Sequence, residues 1–212
     1  MAKLIRRFIE LATRAWRPAP RIASVEALVD FLHSRSALVA QTALYGYLRT
    51  RMGTRYPEIF QDDRFTEGLE QARAQAFLAC LADLTVHTVA VAAPGGRKDC
   101  ERAVLQCFRL SIGTHPDEKT IEQACDRLAR RLTGIDWAQI GHGGAAFTES
   151  PAAVIDAAPV SEAFREQDRE IVENSVRLRW VDVRRQLHER IDRPSLSHDL
   201  RQISEPESRP GG

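Results

Sequence analysis

The sequence predicts an all-α protein, a single-domain bundle of about six or seven helices around one central buried helix. Three observations carry this. Apolar residues recur at threes and fours along most of the chain rather than alternating. Breakers at Pro18 and Pro20, Gly53 and Pro57, Pro94-Gly95-Gly96, Gly113 and Pro116, and Gly134 cut the pattern at helix-length intervals. Finally, Ala74 to Ala93 reads AQAFLACLADLTVHTVAVAA, without Lys, Arg, Gly or Pro and apolar on nearly every side. Such a helix is stable only when buried inside a larger assembly.

That run belongs to a helix expected from Asp63 to Ala93, and two ionisable residues sit inside it. Asp83 and His87 are one turn apart and share a face. Ala72, Ala76, Ala79, Cys80 and Ala90 surround them at helical spacing, so a neighbouring helix can approach closely. A buried carboxylate must find a partner or take up a proton. His87, one turn away, or Tyr45 or Arg49 from a facing helix, is the expected source. The alternative is a general base whose pKa burial moves toward neutrality. The same helix is long enough to cross a membrane, since about 20 apolar residues suffice. Asp83 at its midpoint costs roughly 3 kcal/mol and cancels the gain from the apolar residues, so the expectation is a core helix.

The length, 212 residues, suits one domain, and 43% hydrophobic with 28% charged residues is ordinary for a soluble protein. A net charge of +1 argues against a nucleic-acid partner. Cys80, Cys100, Cys107 and Cys125 make no CxxC pair, so buried free thiols in a reducing cytoplasm are expected. The sequence calls for no metal and no cofactor.

The chain divides into residues 1–21, 22–192 and 193–212. The first is an amphipathic helix with Leu4, Ile5, Phe8, Leu11 and Trp16 on one face. Lys3, Arg6, Arg7, Arg14, Arg17 and Arg21 stand against a single acid, Glu10. The pattern suits an anionic membrane surface at the inner face of the membrane, with Trp16 among the headgroups. It equally suits a terminal helix docked on its own core.

In the middle division, Ser24 caps a short helix to about His33, and a second runs from Ser34 to about Met52. Ala40, Ala43 and Gly46 on the latter form a small stripe expected to face Asp83. Arg49, Arg51 and Arg55 crowd the following turn with Tyr45, Tyr47 and Tyr56. They suit either an anion site or ion pairs with Glu58, Asp62, Asp63 and Glu67. Helices follow from Asp99 to about Ile112, with Leu110 in the core, and from Thr114 to Leu132. Gly141-His142-Gly143-Gly144 is like the oxyanion loops of some esterases, but no Gly-x-Ser-x-Gly supplies a nucleophile. A long helix spans Ser161 to Asp192. Val172, Val176, Trp180, Val183 and Leu187 form its stripe, and Phe164, Ile171 and Leu178 are expected to widen that face. Pro194 ends it, and residues 193–212 are expected to be disordered.

Two stretches, LVAQTALYGYLRTRMGTRYPEIF with the following ACLADLTVHTVAVA, and FTESPAAVIDAAPVSEAFREQDREIVENSVRLRW, are familiar together. They resemble a family of small helical bacterial proteins, some loosely labelled esterase. The resemblance covers Ala37 to Trp180 and implies ester hydrolysis, without a catalytic motif to carry over. The functional expectation is therefore a cytoplasmic helical interaction or accessory protein with a protein partner. The alternative is an esterase-type hydrolase using Asp83, His87 or His142.

Overall fold

Ser24 starts the first helix: its side chain accepts a hydrogen bond from the Ala27 N–H at 3.3 Å. The computed structural model describes residues 20–53, 63–93, 95–113 and 118–204. Lys3, Arg6, Arg7, Arg14, Trp16 and Arg55 lie outside these, as do residues 205–212 of the tail. Among the described residues there are seven helices and no strand.

Helix α1 runs Val25–Met52 without a break, where two helices meeting at Ser34 were expected. The Ser34 hydroxyl donates back to the Phe31 carbonyl at 3.3 Å, so the serine rides inside the helix and caps nothing. Helix α2, Asp63–Ala92, follows the sequence closely and ends at Ala93 with φ 48°. Helices α3 (Arg97–Ile112) and α4 (Glu118–Leu132) come next. Leu110, expected in the core, is about half exposed on α3.

After a turn-rich stretch come α5 (Glu149–Ala157) and the long α6 (Glu162–Arg190). Helix α7 then runs Arg193–Ser204 with Leu196 and Leu200 fully buried, which corrects the disorder expected there. Pro194 lies in its first turn, where the missing N–H costs no intrahelical bond, so it starts a helix instead of ending one.

Helix α2 is the hub and packs on α1, α3, α4, α5 and α7. Residues 80–89 are buried without interruption. Its length and apolarity would suffice to cross a bilayer, yet 72% of its most apolar window is buried by the other helices. Helix α6 packs across α1 and α5, and α7 rests on α3 and α2.

The start of the described chain is tied to the α6–α7 junction. The Ile22 N–H donates to the Arg190 carbonyl at 2.9 Å, and the Asp192 N–H donates to the Ile22 carbonyl at 3.0 Å. The Asp199 carboxylate of α7 accepts the Val25 N–H at 2.6 Å, placing a negative charge at the positive end of α1.

Candidate functional site

Asp83 has no exposed surface, and among the described residues its hydrogen-bond donors come from the end of α4 and the start of α5. The Arg131 guanidinium, at the end of α4, donates to Asp83 Oδ1 at 2.7 Å. Its other nitrogen donates to the Ala146 carbonyl at 2.5 Å. The backbone N–H of Ser150 donates to Asp83 Oδ2 at 2.8 Å, and that of Glu149 reaches Oδ1 at 3.4 Å.

The carboxylate thus caps α5 from another helix. The cap residue in sequence, Thr148, makes no side-chain cap bond of its own. Burial pushes the Asp83 carboxyl above its usual range, against the pull of Arg131 and Ser150 in the other direction. The cluster closes at Ser150, whose hydroxyl accepts the Trp180 indole N–H at 2.9 Å.

This corrects the expected partner. Tyr45 and Arg49 are not at Asp83, and Arg49 is exposed on α1. Gly46 does not face α2 but opens on a hollow of about 510 Å³ between α1 and α6. The elements that meet Asp83 itself are the end of α4 and the start of α5.

His87, one turn further along, meets a different environment. It is fully buried, and neither ring nitrogen has a hydrogen-bond partner among the described residues. Its ring packs on Phe147 at 5.1 Å between centroids, and Phe147 in turn stacks on Trp180 at 4.6 Å. His188 approaches edge-on at 6.2 Å. Burial lowers its pKa to about 4, with the charges of Arg184 and His188 acting the same way and the Ile140 backbone opposing them.

The two residues therefore share a helix face without acting on one another. Asp83 has its oxygens engaged and has no surface open to solvent. His87 is neutral, closed in by aromatic rings, and has no nucleophile hydrogen-bonded to it. His142 is exposed in a turn closed by its own N–H on the Gln139 carbonyl, at 2.9 Å. Gly141 beside it packs against α2, where an added Cβ would lie 3.4 Å from Ala90, in ordinary van der Waals contact.

Of the candidate arginines, Arg51 is held by both carboxylate oxygens of Asp168 on α6. The ion-pair reading thus fits Arg51, with Asp168 and not the expected local acids as its partner. Burial, together with the Asp168 carboxylate, raises the adjacent Tyr47 phenol to about 12. All four cysteines are buried and free. No group of three metal-ligating side chains occurs among the described residues.

The largest departure from the sequence reading is on α6. Phe164, Ile171 and Leu178, expected to widen its core face, are instead 43%, 71% and 71% exposed, and Val181 is 48% exposed. They follow one another at sevens and then at three, a largely exposed stripe: Phe164 lies under the Arg51 guanidinium at 4.7 Å, and Ile171 borders the hollow between α1 and α6. Beside its C-terminal half lies a hollow of about 620 Å³ lined by Phe147, Trp180, Leu178 and Val181 with Arg177 and Arg184, and by no acid. Helix α6 packs on α1 and α5 along one side only, and the second set of apolar residues is left on the other.

No family model, curated protein or solved structure matches the chain.

Proposed function

We propose that this chain is a helical interaction protein that works by docking rather than by catalysis, in the cytoplasm. The exposed stripe of Phe164, Ile171, Leu178 and Val181 on α6 carries this reading. Single exposed apolar residues are common, but four in register on one helix mark a docking face. Four buried free thiols suit a reducing compartment. The esterase reading finds little support in the geometry, because Asp83 is committed to Arg131 and the α5 amides while His87 contacts no nucleophile.

The test is crosslinking of the native protein in cells, wild type against Ile171→Asp/Leu178→Asp. Loss of its crosslinked complexes, with circular dichroism unchanged, supports the reading. Complexes indifferent to both substitutions overturn it. Stoichiometric labelling of one serine by a fluorophosphonate probe would restore the hydrolase.

A further inference from the structure

We infer that the occupant of the α6 face is a second copy of this chain, paired antiparallel along α6. This inference rests on the docking reading above and names the partner. Charge is ordered along α6. Residues 162–175 carry five acids and two arginines, while residues 176–190 carry five arginines and two acids. An antiparallel two-fold pairing sets the acidic half of each copy against the basic half of the other. A parallel pairing would set like charge on like.

The helix dipole alone does not require this order. Its influence fades within the first and last turns, yet the polarity continues to the middle of α6, at Glu170, Glu173 and Arg177. Within the chain Glu162 pairs with Arg165, Asp168 with Arg51, Glu173 with Arg169 and Arg177, and Arg185 with Asp182 and Glu189. Glu166 and Glu170 in the first half, and Arg179 and Arg184 in the second, make no ion pair among the described residues and are the charges left for a second copy.

Placing the two-fold axis beside Asn174 brings Glu170 of each copy opposite Arg177 of the other. The same register seats each Ile171 between Asn174 and Leu178 of the second copy. It also carries each Phe164 toward the other copy's Val181, beside the hollow that no acid lines. Apolar seam and charge complementarity thus agree on one register. The stretch from Phe164 to Val181 is about 26 Å long, enough for a short two-stranded seam.

Sedimentation of the purified full-length chain gives the first readout. A dimer is expected, and Leu178→Asp should raise its dissociation constant by about a hundredfold or more, because a carboxylate would be buried unpaired. Ile171→Lys is the second variant, and circular dichroism checks the fold of each. For orientation, chains carrying Glu170→Cys are mixed with chains carrying Arg177→Cys under mild oxidation. Disulfides should form mainly between the two kinds of chain.

A chain that stays monomeric, a dimer unaffected by both stripe substitutions, or crosslinking of like chains only would each overturn the inference. If the chain is monomeric while its cellular crosslinks still depend on Ile171 and Leu178, the docking reading survives and only the self-pairing fails.

Discussion

Asp83 and His87 occupy successive turns of one helix, both without exposed surface, and the protein treats them in opposite ways. Around Asp83 it gathers a guanidinium and two helix-end amides; around His87 it gathers rings, with the Ile140 backbone nearby, and neither nitrogen makes a well-formed hydrogen bond among the described residues. The difference follows from what lies alongside. The Asp83 turn faces helix ends, where amides and a terminal arginine are free to donate. The His87 turn faces the Phe147–Trp180 stack, which has nothing to offer a ring nitrogen. Proximity in sequence and a shared face do not make an acid–base pair. The neighbours across the interface decide.

The largest test breaks the satisfied half. Asp83→Ala leaves Arg131 and the α5 amides without their acceptor, and should cost roughly 3–5 kcal/mol in denaturant unfolding. A variant as stable as wild type would mean that the ion pair does not form in solution.

The second test acts on the unsatisfied half through pH. The fold keeps His87 neutral down to about pH 4, whereas the unfolded chain takes up its proton near 6.5. Stability from this residue is therefore complete above pH 6.5 and falls as pH drops toward 4, by roughly 3 kcal/mol. The opposing charges are Arg184 and His188 on α6, and the Ile140 backbone works the other way. His87→Leu should remove that share of the acid sensitivity while staying within about 1.5 kcal/mol of wild type at pH 7. Asp83 contributes the opposite sign. Its raised pKa makes the native state bind a proton before the unfolded chain does, so acid relieves its burial. A stability curve flat between pH 6.5 and 4 in the Asp83→Asn background would contradict the assignment to His87.

The smallest effect sharpens the contrast most. Because the two residues share no hydrogen-bond partner, a double-mutant cycle of Asp83→Asn and His87→Leu should give a coupling below about 0.5 kcal/mol. A coupling of a few kcal/mol would make them one functional unit and revive the hydrolase.

The sequence made the helix hub legible because burial on all sides leaves a compositional mark that a surface helix never carries. It also showed that Asp83 needs a partner, but not which one. Arg131 sits beside Leu132 on an amphipathic helix, where an arginine reaching inward and one reaching into water look alike. The missed α7 had a readable sign in Leu196, Leu200 and Ile203 at helical spacing, obscured by the polar residues between them. On α6, periodicity identified the inward stripe correctly. It assigned Ile171 and Leu178 to the same face because hydrophobicity alone does not say which of two apolar stripes finds a partner within the chain.

The clasp between Ile22 and the Arg190–Asp192 backbone gives the fold a mechanical character. Tension applied at the two ends of the described chain meets this clasp first, along with the Val25–Asp199 bond beside it. Helix α7 lies beyond the clasp and is seated on α3 and α2 through the buried Leu196 and Leu200, so a pull from its end is carried to the hub as well. A pull on residues ahead of Ile22 reaches the α6–α7 junction before it reaches α1.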